Sequence, residues 1–351
     1  TQMKKKTNYL NEIEQNFQSS IRKYNLNYQS NHWLYNNKKK IKLFNKKNLK
    51  SFRANGLSEG MDDKYYSKKQ SIKLLNSLIK ECGKDFIYKT LLKKNIGKSN
   101  KALKFKSYYY TAHELFHIKF IHEVKKKIKI KKNDIICEIG PAYGSMIGKL
   151  IKLYNAKAIL IDLPEANFMS HYYLKKIFPK KKFFVSDNIK NNQITKKNLI
   201  ENDIIILCPW DKLPKVKINF FINVRSMMEM KYETINEYFQ MIQNSIVNSG
   251  YFLCINRYYK DTVGYPIEMS KYPYDKLWKV LTSKTSWMQN HIHFLLTKRT
   301  KKPNLSVAEE LSKIKKISKK VRLNDKFALR RILPNFIYII YKKTKFFLLG
   351  R

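Results

Sequence analysis

The residues with the most chemical promise in this chain of 351 residues lie between Ile135 and Glu165. Glu138 stands inside a short apolar run, Ile135 to Ile139, that reads as a buried parallel strand. Gly140, Ala142 and Gly144 follow at alternating positions, ahead of an amphipathic segment from Met146 to Tyr154. Strand, glycine turn and helix in this order let backbone amides approach a nucleotide-like ligand. A second apolar run, Lys157 to Ile161, ends in Asp162 and Leu163, and Asp162 falls about twenty residues after Gly140, where a strand-end carboxylate accepts both hydroxyls of a ribose.

Dinucleotide enzymes share this logic, but their third glycine falls three residues after the second, whereas here the small residues alternate. With Glu138 two residues before Gly140, the segment resembles motif I of the class I S-adenosylmethionine (SAM) methyltransferases. The resemblance implies that the turn at Gly140, Ala142 and Gly144 holds the methionine and ribose end of SAM, with help from Glu138. Ala142 departs from the family, which usually has glycine there. The plainer reading is a Rossmann-like strand and turn without a cofactor, or with a dinucleotide.

The elements that position these residues fall into three regions. Residues 1 to 125 read as mostly helical, with apolar repeats such as Ile72, Leu75, Ile79 and Tyr108, Leu115, Ile118, Ile121, and form a cap or substrate-recognition region. Its loop from Phe52 to Asp63 carries paired carboxylates, Asp62 and Asp63, that read either as a turn and helix cap or as a substrate-facing loop. Residues 126 to 302 alternate strand and helix, predicting a doubly wound, mostly parallel sheet with helices on both faces and ligands at the carboxyl ends of its strands. Residues 303 to 351 form a basic tail whose apolar run, Ile332 to Tyr341, suits an anchor at a membrane surface or a helix packed on the main domain or a partner subunit.

Composition narrows the field less than its extremes suggest. A net charge of +46 points to nucleic acid or an anionic membrane. The lysines are nevertheless spread through every segment, so the charge reads mainly as solvated surface. No apolar run is long enough to span a bilayer, and Cys82, Cys137, Cys208 and Cys254 lack metal or redox spacing, which fits a reducing cytoplasm.

The segments ICEIGPAYG, LIDLPE, ILCPWDKLP, FINVRSMMEM, YFLCINRYYK and SWMQNHIHF, in this order, resemble the bacterial sugar O-methyltransferase family over roughly residues 130 to 300. The resemblance implies a Rossmann-like SAM domain and a sugar hydroxyl as acceptor, nucleotide-linked, lipid-linked or polymeric, in glycan biosynthesis. A sugar hydroxyl must lose its proton as the new bond forms, which calls for a general base or a metal. Glu229 is the first candidate, because Arg225 to Met230 follows the carboxyl end of a strand, and Arg225 beside it is a substrate-binding candidate. His291 and His293 alternate in a strand-like run and are the next. The adenine contact is left between Asp187, after one possible third strand, and Trp210 with Asp211, after another.

Two other patterns compete. His113-Glu114-Leu115-Phe116-His117 matches the zinc-hydrolase spacing HExxH but lacks a convincing third ligand, so no metal site is expected. Cys208-Pro209-Trp210 resembles the Asp-Pro-Pro-Trp loop of nucleic-acid amino methyltransferases, although cysteine accepts a hydrogen bond poorly. A methyltransferase acting on RNA or DNA bases and a noncatalytic adaptor in glycan assembly therefore stand as alternative functions.

Overall fold

The computed structural model describes residues 2–58, 66–186, 194–213, 216–261, 263–287 and 289–323. Asp62, Asp63, Asp187 and the apolar part of the tail lie outside them. The first region contributes α1 (Gln2–Arg22), α2 (Asn31–Lys40), α3 (Lys46–Leu49), α4 (Lys68–Cys82) and α5 (Lys84–Thr90), then a hairpin of β1 (Leu103–Phe105) and β2 (Tyr108–Tyr110), and α6 (Ala112–Lys125). Tyr108 thus belongs to a strand, not to the helical repeat expected of it. Ser67 and Thr111 start α4 and α6 with capping boxes to Gln70 and Glu114, satisfying amides that a helix start leaves without partners.

The second region runs β3 (Ile135–Ile139), α7 (Ser145–Tyr154), β4 (Lys157–Ile161), α8 (Pro164–Ile177), β5 (Phe183–Val185), α9 (Lys196–Glu201), β6 (Ile204–Leu207), β7 (Ile218–Val224), α10 (Tyr232–Ser245) and β8 (Ile246–Arg257). It continues with the short pair β9 (Tyr259–Asp261) and β10 (Pro266–Glu268), then β11 (Trp278–Thr285), β12 (Ile292–Arg299) and α11 (Ser306–Leu323). Eight strands form one sheet in the order β11-β12-β8-β7-β3-β4-β6-β5. The six from β8 to β5 are parallel, while β12 and β11 close the other edge antiparallel. This is the doubly wound, Rossmann-like α/β sheet expected from the sequence. Strand order reverses at β3, and the crevice outside the carboxyl ends of β3, β4 and β7 is where such sheets bind ligands. The order also answers the third-strand question: β6 lies beside β4, and β5 is an added edge strand.

Period-two alternation gives each strand two apolar faces. Ile136, Leu160, Ile206, Phe220 and Leu253 face one core with α7 and α8, while Cys137, Ile159, Ile205, Phe221 and Phe252 face a second with α10 and α11. Leu10, Ile13, Phe17, Phe44, Leu49 and Phe52 of the N-terminal region join the first core. Burying six such side chains contributes about 10 kcal/mol before ordering costs, so these helices form an integral layer over the sheet. Among the described residues no helix is long and apolar enough to cross a membrane.

Candidate functional site

The chain leaves β3 through a loop built on left-handed residues. Gly140 has φ +70°, and its amide donates to the Ile161 carbonyl at 2.9 Å, tying the loop to the tip of β4. The Gly144 amide closes a turn onto the Pro141 carbonyl at 2.8 Å, and Gly144, at φ +82°, starts α7. Ala142 is also left-handed, at φ +56°, so the residue that departs from the motif keeps a backbone shape that favours glycine. That shape aims the Ala142 amide at Asp162 Oδ2, 2.9 Å away, while the Leu163 amide donates to Oδ1 at 2.8 Å. Each carboxylate oxygen can accept a further hydrogen bond, as the two hydroxyls of a ribose require. Burial raises Asp162 to about 7; its two amide donors oppose the rise and Glu229 adds to it. Glu138, from the middle of the motif, accepts from the Ile147 amide of α7 at 3.0 Å, and burial raises it to about 8.

The facing wall follows β7. Asn223 donates to the Ile139 carbonyl at 2.9 Å and accepts from Asn256 of β8 at 2.8 Å; Asn256 in turn accepts the Met228 amide at 3.1 Å. Ser226 donates to the same Ile139 carbonyl at 3.1 Å. These buried groups satisfy one another and lock the turn after β7 against the glycine loop. A Cβ on Gly140 would lie 2.1 Å from Ser226 Oγ, so glycine is required there by contact as well as by dihedral angle. Glu229 receives the Lys260 ammonium and, at 3.1 Å, the Trp33 indole NH from α2.

These walls enclose a cavity of about 420 Å³, within the usual range for small-molecule sites. Charge is divided across it. Glu138, Asp162 and Glu165 border it over β3, β4 and the start of α8, whereas Arg225, Arg257 and Lys260 border it after β7 and β8, with Glu229 among them. Tyr28 and Trp33 from the N-terminal layer complete the wall.

Of the residues expected from the sequence, Glu138, Gly140, Ala142, Asp162, Leu163, Arg225 and Glu229 come together here. Gly144 stands behind them as the cap of α7. Trp210 and Asp211 do not line the cavity; Pro209 does. Trp210 packs on Tyr24 with ring centroids 5.4 Å apart, and Asp211 is taken up by the Cys208 amide at 2.7 Å and the Ser186 hydroxyl. They shape the loop after β6 instead of presenting their own polar groups to a base. His291 and His293 do not border the cavity either. His293 points into the sheet's second edge, between the Ser283 hydroxyl at 2.7 Å and the Tyr258 hydroxyl at 3.0 Å, and burial lowers it to about 4.

Two histidines that the sequence offered only as a zinc pattern, His113 and His117, do border the cavity, with ring centroids 4.4 Å apart. Burial first, and nearby cations including Arg225 and Lys149, push both well below the usual imidazole value, so both are neutral near pH 7. The glutamate between them does not act as a zinc-site base. Glu114 closes the capping box on Thr111 at 3.0 Å and stands 3.7 Å from Arg53 and 3.9 Å from Lys149. Among the described residues, no group of three His, Cys, Asp or Glu is placed to hold a metal ion. The signal that would have exposed the pair is the Thr111-to-Glu114 capping box, which puts His113 in the open first turn of α6.

No family model and no curated protein matches the sequence. Solved structures with a similar arrangement include YjhP from E. coli, at 10% identity and TM-score 0.28, with 40% of this chain and 49% of that chain aligned. A cyclopropane synthase from Mycobacterium tuberculosis aligns at 13% identity and TM-score 0.29, over 40% of this chain and 42% of its own. The chain thus spans about half the length of these two. Geranyl diphosphate C-methyltransferase from Streptomyces coelicolor, solved with S-adenosyl-L-homocysteine, aligns at 10% identity and TM-score 0.37 over 54% of this chain and 77% of its own. Likenesses at these TM-scores add no weight to the site, and the fold assignment rests on the strand order itself.

Proposed function

We propose that the chain is a SAM-dependent O-methyltransferase whose acceptor is a hydroxyl of a sugar or glycan precursor. The observation that carries this reading is the convergence of Asp162, steadied by two loop amides, and Glu229 on one cavity at the carboxyl edge of the sheet. The residues present fit the cofactor. Asp162 keeps acceptor capacity on both oxygens for the ribose, Leu163 and Pro209 offer apolar surface beside it, and Glu138 fixes the first turn of α7 next to the loop.

SAM would supply a methyl group on a sulfonium already activated for displacement. The chain's own share is then alignment and proton removal. Glu229 is held by Trp33 and Lys260, each of which uses one lone pair, and what remains accepts a hydrogen bond from the acceptor hydroxyl. Tyr28 and Trp33 give the aromatic surface on which a sugar face stacks. The sugar reading is supported by the segment Arg225 to Met230, one of the two that carry the narrower resemblance, because it forms the acceptor wall.

Glu229→Gln tests the assignment. Removing a general base lowers kcat by about 10²- to 10⁴-fold, with S-adenosylhomocysteine affinity unchanged. If Glu229→Gln keeps full kcat and His113→Gln loses it, the base is the neutral imidazole instead. Nucleotide sugars and lipid-linked glycans, run beside RNA and DNA, identify the acceptor class; methylation of RNA or DNA alone overturns the sugar reading.

A further inference from the structure

The division of charge across the cavity carries one step more, resting on the cofactor placement above. Arg225 holds a left-handed backbone, φ +62°, fixed by its amide donating to the Ile255 carbonyl at 2.7 Å. Its Nε is fully buried and has no hydrogen-bond partner among the described residues. An unmatched buried guanidinium donor is costly, and a planar fork of donors matches a carboxylate or phosphate. Arg257 and Lys260 border the same end of the cavity, where Glu229 is the one carboxylate among the described lining residues. Burial lowers the Lys260 ammonium, Glu229 opposes that, and Arg257 and Arg225 add to the lowering, as cations converging on a common space do. The three cations stand after β7 and β8, on the far side of β3 from Asp162, so they lie on the acceptor side of the glycine loop.

We propose that Arg225, with Arg257 and Lys260, forms an anion seat, and that the acceptor carries a carboxylate or phosphate beside the hydroxyl that is methylated. A neutral sugar offers the Arg225 donor only an uncharged hydroxyl oxygen; a uronic acid or sugar phosphate offers a charged, bidentate acceptor that matches the guanidinium fork.

The test is calorimetric titration of the full chain, saturated with S-adenosylhomocysteine in 150 mM chloride, with glucuronate, inorganic phosphate and glucose as probes. Glucuronate is expected to bind at least about tenfold tighter than glucose. Arg225→Met abolishes that preference and leaves S-adenosylhomocysteine affinity within twofold, while Lys279→Met, which removes an exposed lysine elsewhere, changes neither. Arg257→Met, expected to weaken glucuronate alone, carries the same test if Arg225→Met does not fold. Equal binding of glucuronate and glucose overturns the seat, as does equal loss in the Lys279→Met control. A tenfold loss of S-adenosylhomocysteine affinity in Arg225→Met also overturns it, because the guanidinium would then serve the cofactor's own carboxylate. Failure of the wild type to bind S-adenosylhomocysteine tells instead against the cofactor reading, and the probes titrated without it still decide the seat.

Discussion

Replacing Gly140 with alanine tests the site's architecture where it is tightest. The added Cβ would lie 2.1 Å from Ser226 Oγ and 2.3 Å from Ser226 Cβ, and the residue would keep φ +70°. A left-handed backbone costs a residue with a Cβ about 1–2 kcal/mol. Moving Ser226 aside breaks its hydrogen bond to the Ile139 carbonyl and the one it receives from Asn223, about 1 kcal/mol each. The expected loss is therefore about 3–4 kcal/mol, or a drop in Tm of about 5 °C for a chain of this length. Gly264 supplies the control: it is left-handed at φ +93°, but a Cβ there meets nothing within 4 Å, so Gly264→Ala should cost only the dihedral part. Urea denaturation of the two variants separates the terms, and calorimetry with SAM reads the site, where Gly140→Ala should bind at least tenfold more weakly. If the two variants unfold alike, the contact between the glycine loop and the turn after β7 does not constrain the site as described.

Ala142→Gly removes strain at φ +56° but adds chain freedom to the unfolded state, so its stability should stay within about 1 kcal/mol of wild type while SAM binding is kept, as denaturation and calorimetry will show. Ribose hydroxyls donate to ionised Asp162, whose value near 7 means that SAM affinity should rise about tenfold per pH unit below 7 and level off above it, measurable by titration from pH 5 to 8. The cofactor-free protein should move the opposite way. Asp162, Glu138 and Glu165 are all raised on folding, so the native state holds protons that the unfolded chain releases; the buried histidines, lowered on folding, act the opposite way below about 6.5, so stability should fall as pH rises from about 6.5 to about 8. His293→Phe leaves the Ser283 and Tyr258 hydroxyls without their shared partner and should cost about 1–3 kcal/mol in denaturation, with kcat unchanged.

What the sequence disclosed was local. Strand, turn, helix and strand-end acid from Glu138 to Leu163 are close in the chain, and their spacing carries most of their geometry. Which strand sits third was not legible, because pairing β6 with β4 spans more than forty residues and depends on the whole sheet. The hairpin of β1 and β2 escaped notice because its turn, Lys106-Ser107, lacks the glycine or asparagine that φ +52° at Lys106 would favour. His291 and His293 looked suitable by alternation, but alternation does not say which face of a strand meets a cavity, and β12 lies between β11 and β8, away from the glycine loop. His113 and His117 were overlooked for the opposite reason: their spacing suggested a metal, and only the packing of α6 against the glycine loop turns them toward the site. The Asn223 and Asn256 network left no pattern in the sequence, since its members meet across β7 and β8.

The most direct test of the central claim is calorimetric titration of the full chain with SAM at physiological salt, for wild type and Asp162→Ala, with circular dichroism confirming that both are folded. Saturable binding by wild type is expected, weakened about a hundredfold when the two ribose hydrogen bonds to a charged acceptor are lost. No binding by folded wild type, or equal binding by both, would contradict it.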